Sequence, residues 1–275
     1  MDTDEWRRRG SSFGAVAAEY AEFRPGYPPD AVRWCVAPAG RDPGSLRMLD
    51  LGAGTGKLTA ALTALGADVT AVEPDPDMLA ELRRRLPAAR ALTGTAEQIP
   101  LPDRSVDAVL CGQSLHWFDL ERALPEIARV LVTGGTLSGL WNSDDDRVGW
   151  VDGLQQVAQA AASPPLSRRR TELARFGAER FGPQLFHATE RADFANVQRL
   201  TADALVAQIG THSHVLVMEP ARRTEQLSRI RAYLASRPET AAGEFELPMV
   251  TSVIRAVLRD QPREIESSRG HRDRS

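Results

Sequence analysis

Short apolar runs alternate with amphipathic stretches over residues 46–142, and the alternation predicts strands and helices in turn. Residues 46–51 are a compact apolar run that ends in glycines, the pattern of a buried strand. Leu58, Ala61, Leu62 and Leu65 then follow helical spacing until Gly66 stops the helix. The order repeats with a strand at 69–72, a helix at 75–86 ended by Pro87, a short strand near 90–93 and a stronger one at 106–111. A helix over 120–131 gathers Leu120, Leu124, Ile127 and Leu131 on one face, and Gly134-Gly135 turn the chain into a strand at 136–141. Strands separated by helices of about 10–15 residues predict a mostly parallel, doubly wound α/β sheet covered on both faces.

Outside this stretch the pattern is looser. Residues 148–162 and 168–180 read as helices, 186–200 holds one strand, 202–209 and 221–236 are helical, and 245–258 is a last strand. The first 45 residues are polar and broken by RPGYPP and APAGRDPGS, the second reading as a linker. The expected organisation is a single domain: an N-terminal cap segment over 1–45, a core over 46–142, a helical lid over 143–183, a part completing the sheet over 184–260, and a disordered polar tail over 261–275.

The segment MLDLGAGTGKLTAAL carries the most chemistry. A strand ends at Asp50-Leu51, and Gly52, Gly54 and Gly56 occupy alternate positions before a helix opens. Glycines there let the backbone turn tightly and approach a ligand while helix N–H groups face the same point. The next strand ends in Glu73, 21 residues beyond Gly52, where a carboxylate can accept both hydroxyls of a ribose. A P-loop needs G-x-x-x-x-G-K-[ST], but Leu51 and Leu58 stand at its outer positions. The dinucleotide fingerprint needs a glycine where Lys57 stands. A phosphate-bearing ligand is therefore disfavoured, and a nucleoside is not.

Charge and composition narrow the classes further. The formal net charge of −3 offers no nucleic-acid-scale positive surface, and 26% charged with 42% hydrophobic residues is ordinary globular usage. No apolar run is long enough for a membrane span, and the start MDTDEWRRRG lacks a signal-peptide core, so a cytoplasmic protein is expected. Two cysteines, Cys35 and Cys111, make neither a disulfide framework nor a metal site. No repeat of roughly 20–50 residues is visible.

Several ordered motifs give the chain a family resemblance. LDLGAGTGKLT, VTAVEPDPDML, GTAEQIPLPDRSVDAVLCGQSLHWF and RVLVTGGTLSGLWN resemble successive motifs of class I S-adenosylmethionine-dependent methyltransferases of the methyltransferase-11/UbiE-like type. FGAVAAEYAEFRPGYP is similar to the entry segment of its trans-aconitate methyltransferase-like branch. The resemblance implies a Rossmann-like, mostly parallel seven-stranded sheet with an antiparallel last strand and a helical lid. It implies S-adenosylmethionine as cofactor, S-adenosylhomocysteine as product and a small-molecule methyl acceptor, with neither nucleic acid nor membrane as partner.

By family position Asp50 lies near the methionyl amino group, Glu73 takes the ribose hydroxyls, and Pro74 and Met78 flank the adenine. Thr95, Ala96 and Glu97 edge the adenine, and Gln113 lies under the methionyl or methyl end. Tyr20 or Arg24 meets the methionyl carboxylate, unless Pro25 and Pro28 merely hold a capping segment. Tyr27, His116, Trp117 and Trp141 are candidate walls of the acceptor pocket, with Asn142 beside them.

Two positions stay open on residue type alone. His116 is a base for an attacking hydroxyl, a hydrogen-bonding contact to a carboxylate acceptor, or a packing histidine. His212 and His214 have i,i+2 spacing without a third ligand, so no metal is expected. Two other functions compete with the enzyme: a nucleoside-binding module without catalysis, and a nicotinamide-dependent oxidoreductase.

Overall fold

Seven strands are present: β1 (Arg47–Leu51), β2 (Asp68–Glu73), β3 (Arg90–Thr93), β4 (Val106–Gly112), β5 (Leu131–Asp144), β6 (Glu190–Thr201) and β7 (Glu244–Val257). In this computed structural model, which describes residues 24–159, 181–210, 215 and 218–260, they form one sheet in the order β3-β2-β1-β4-β5-β7-β6. β1 to β5 pair in parallel, and β7 runs antiparallel to both β5 and β6. The helices are α1 (Pro29–Val36), α2 (Lys57–Ala64), α3 (Pro76–Arg85), α4 (Leu120–Val130), α5 (Gly149–Gln159), α6 (Ala202–Gly210) and α7 (Pro220–Ala235). The doubly wound sheet expected from the sequence is the one observed.

Apolar residues run unbroken along the central strands because both faces are covered. On one face Met48, Ala108, Leu110 and Leu140 pack with α1 and with Leu58 and Leu62 of α2. On the other, Leu49, Leu51, Val109 and Trp141 pack with Leu124 and Ile127 of α4. α3 shows how local chemistry fixes an element. The Asp75 carboxylate caps it by accepting from the N–H groups of Asp77 and Met78, Pro76 opens it, and Arg83–Arg85 end it.

Three sequence expectations are corrected here. The segment over 1–45 is not only a cap, because residues 29–36 form α1 and bury Ala31, Val32, Cys35 and Val36 against the sheet. Pro28-Pro29 reads as a breaker, yet proline in the first helical turn lacks an N–H that has no intrahelical partner anyway. The strand expected at 136–141 runs from Leu131 to Asp144. Its pairing with β4 jumps from Val106–Leu131 to Ala108–Thr136, so residues 132–135 bulge outward through Gly134 at φ +73°.

The third correction concerns the lid. Described residues from both sides of the expected boundary at 183 build one helical cap. Val151 and Leu154 of α5 pack with Leu205 and Ile209 of α6 and with Ile230 and Leu234 of α7. This cap rests on Leu247 and Met249 of β7. The helix expected over 168–180 and the tail from 261 lie outside the described residues.

Both cysteines are free and buried, and burial pushes the Cys35 thiol up to about 12 and the Cys111 thiol well above its ordinary value. Neither is a thiolate at neutral pH. The folded protein is expected to give no reaction with an aromatic disulfide reagent until denaturant opens it, and then two thiols together. One thiol reacting in the native state would show that α1 does not pack as described.

Candidate functional site

A cavity of about 570 Å³ opens at the carboxyl ends of the parallel strands, beside the β1/β4 junction where strand order reverses. That junction is where open α/β sheets bind ligands. Its floor is the alternate-glycine bend. Gly52 has φ +70°, and a Cβ there would stand 2.6 Å from Ser114 Cβ, so this position must be glycine. Gly54, at φ +54°, faces open space within the cavity lining. Thr55 follows it, 4% exposed, and its hydroxyl has no partner among the described residues.

Glu73 ties this bend to the next strand end. One carboxylate oxygen accepts from the Gly54 N–H at 2.8 Å and the other from the Asp75 N–H at 2.9 Å. Burial raises its pKa, and the two backbone N–H groups oppose the shift. Each oxygen still has a lone pair to offer a hydroxyl. Pro74 and the buried Met78 continue the wall, with Thr95, Ala96 and Glu97 opposite them. Glu97 also accepts from the Asp119 N–H at 3.0 Å, which fixes it against the start of α4. Lys57 lines the cavity too, its pKa lowered by burial and by Arg85.

The other half of the cavity lies at the ends of β4, β5 and β7. Gln113 is held at φ +58°, unusual for a residue with a side chain, and its Nε2 donates to the Asn142 carbonyl at 3.0 Å. Ser114 donates to the Leu51 carbonyl at 2.7 Å, locking the β4 end onto β1. Tyr27 reaches so close to Gly112 that a Cβ there would stand 2.6 Å from its hydroxyl. Arg24, Trp117 and Phe118 complete the walls, and Leu205, Gln208 and Ile209, at i, i+3 and i+4 on α6, form the roof.

Four expected site residues lie outside the lining. Asp50 is fully buried and accepts from Thr59 Oγ1 at 2.6 Å, so it braces β1 against α2. Gly56 serves packing, since a Cβ there would meet Leu82 at 2.9 Å and Leu86 at 3.0 Å. His116 and Trp141 are joined to each other, the Trp141 Nε1 donating to His116 Nδ1 at 3.3 Å. Neither is among the residues that line the cavity, and the bond to Trp141 fits the packing reading of His116, one of the three that the sequence left open. Of the two β5 residues weighed for the pocket, Trp141 enters the core and Asn142 enters the cavity, because side chains alternate along the strand.

Tyr20, His212 and His214 lie outside the described residues. Among the described residues no group of three or more His, Cys, Asp or Glu is placed to hold a metal, and no helix is long and apolar enough to cross a membrane. Thr55 and the α6 face lacked a place among the expected site residues. For Thr55 the signal was present, a hydroxyl set between two glycines of the bend.

A glycine bend and an acid thus meet on neighbouring strand ends of an α/β sheet, without phosphate-loop spacing. A methyltransferase-domain family model matches residues 49–138. An uncharacterized methyltransferase of Mycobacterium tuberculosis is 43% identical over 248 residues, 90% of this chain and 96% of that protein. Another, from Schizosaccharomyces pombe, is 35% identical over 195 residues, 70% of this chain and 77% of that protein. Among solved structures, a proposed type II methyltransferase from Anaeromyxobacter dehalogenans matches at TM-score 0.57 and 25% identity, covering 85% of this chain and 97% of that one. The chain belongs to the class I methyltransferase family. These relatives carry no acceptor in their names and give the narrower placement near a trans-aconitate branch no support.

Asp50 gives a test of the frame under the site. Burial raises its pKa from 3.8 to about 7, with the Thr59 hydrogen bonds opposing the shift. Between those values the unfolded chain releases this proton while the folded chain keeps it, so the group's contribution to stability falls as pH rises to about 7. Relative to wild type, Asp50→Asn is expected to gain stability steadily from pH 4 to 7 and no more above that, measured by urea unfolding at each pH. A difference that does not change with pH would contradict the buried, protonated carboxyl.

Proposed function

We propose that the protein transfers the methyl group of S-adenosylmethionine to a small organic molecule by in-line displacement. The observation that carries this reading is the Glu73 carboxylate, held between the Gly54 and Asp75 N–H groups at the edge of a 570 Å³ cavity. The residues present suit that cofactor. An open glycine face at Gly54 and the unpartnered Thr55 hydroxyl fit a methionyl chain, and Glu73 fits a ribose diol. Pro74, Met78 and the 95–97 edge fit a flat base. When bound, S-adenosylmethionine supplies a methyl carbon made electrophilic by its sulfonium.

The chain's own residues then bind, orient and exclude water. Glu73 and the glycine bend set the height of the nucleoside above the strand ends, and Arg24, which lines the cavity, suits the methionyl carboxylate. Gln113, pinned by the Asn142 carbonyl, floors the space between the two halves of the cavity. Trp117, Phe118, Leu205, Ile209 and Met249 wall the acceptor half with apolar surface. Gln208 and Asn142 supply its neutral hydrogen-bonding groups. His116 acts through Trp117, whose ring centroid is 5.0 Å from its own. An open acceptor half favours an enzyme over a binding module, and the alternate-glycine spacing favours this cofactor over a dinucleotide.

Titration calorimetry with S-adenosylhomocysteine tests the reading. Wild type is expected to bind one equivalent per chain, with no competition from NAD. Glu73→Ala removes two charge-assisted hydrogen bonds and should weaken binding on the order of 100-fold. Folded wild-type protein that binds neither S-adenosylhomocysteine nor S-adenosylmethionine would overturn it.

A further inference from the structure

A closed polar ring joins three strands to the segment that crosses the cavity mouth. Thr251 Oγ1, on β7, donates to Asn142 Oδ1 at 2.6 Å, and Asn196 Nδ2, on β6, lies 3.1 Å from Thr251 Oγ1. Asn142 Nδ2 and Asn196 Nδ2 both donate to the Gly26 carbonyl, each at 3.0 Å. The donor directions are mutually consistent. With its proton on Asn142, the Thr251 oxygen is left to accept from Asn196, and both amides turn an N–H toward Gly26.

Thr251 and Asn142 are 0% and 3% exposed, so their end of the ring is dry and an orphaned hydrogen bond there is costly, while Asn196 is half-buried and Gly26 exposed at the other end. Asn142 lines the cavity, and so do Arg24, Pro25 and Tyr27 on either side of Gly26. Asn196 and Thr251 do not. Nothing in the chemistry of the acceptor or of the nucleoside asks for an asparagine on β6.

We propose that Asn142, Asn196 and Thr251 form a clasp on the Gly26 carbonyl that holds residues 24–27 across the cavity, making Asn196 and Thr251 positioning residues for cofactor binding although neither touches the cavity. The inference rests on the reading of the cavity as an S-adenosylmethionine site. The clasp fixes a strap that carries Arg24, read as the partner of the methionyl carboxylate, and Tyr27, a wall of the acceptor half, so its contribution is to preorganise them. Removing it leaves the nucleoside contacts of Glu73 intact and weakens only what the strap supplies.

The test uses S-adenosylhomocysteine calorimetry on the full chain with paired variants. Asn196→Ala and Thr251→Val should each raise Kd about five- to tenfold, since each removes two hydrogen bonds of the ring and none to the ligand. Thr251→Ser keeps the hydroxyl and should retain wild-type affinity. In an Arg24→Ala background the Asn196→Ala effect should largely vanish, because the group it positions is gone. Affinity that is equal in wild type and Asn196→Ala, or an Asn196→Ala penalty that adds fully to Arg24→Ala, overturns the clasp. Thr251→Ser losing as much as Thr251→Val also overturns it, since packing and not the hydroxyl would then matter. Wild type that binds no S-adenosylhomocysteine instead overturns the cofactor reading, so the two failures are distinct.

Discussion

One carboxylate holds the site together. Glu73 ends β2 with its side chain turned sideways onto the β1 bend, and it takes one backbone N–H from each of the two strand ends. At 7% exposed, a carboxylate with fewer partners would be driven toward its neutral form, so the bend and the acid need each other. The glycines follow from the same constraint. Gly52 yields room to Ser114, which donates back to Leu51, and Gly54 brings its N–H to Glu73 without covering the cavity floor. Under the proposed function a ribose diol would meet a carboxylate already oriented by these two bonds.

From that fixed end the cavity changes character. The half around Glu73 is backbone and short-range geometry, set by β1, β2 and the loop at 94–97. The acceptor half is side chains delivered by distant sequence: α6 as roof, Met249 from β7, and Tyr27 from the segment preceding α1. A core that leaves the glycine bend unchanged can therefore accept different roofs. The cap of α5, α6 and α7 has its own apolar interior, which lets it be a separate packing unit over a constant cofactor floor.

The division explains what was legible in the sequence. β1, the bend, β2 and Glu73 were readable because each position has a local signature: an apolar run, a left-handed turn, a spaced acid. The mostly parallel pairing followed from the alternation of strand and helix, while the strand order is seen only in the structure. Gly56 was readable as essential but not as packing, since its contact with Leu82 spans a helix that spacing alone does not place. Trp141 and Asn142 were confused because β5 is buried on both faces and offers no polar alternation to fix its parity. α1 hid behind Pro28-Pro29. His116 sits in a motif, but only coordinates show its Nδ1 accepting from Trp141. The roof was not legible, because helical periodicity says that α6 has a buried face and not what that face covers.

The measurement that bears most directly on this account is a crystal structure of the protein with S-adenosylhomocysteine. The account predicts both ribose hydroxyls on the Glu73 carboxylate, the amino-acid chain lying over Gly54 and Thr55, and the sulfur facing the space below Leu205 and Ile209. A nucleoside bound elsewhere, or one whose ribose leaves Glu73 bonded only to Gly54 and Asp75, would contradict it.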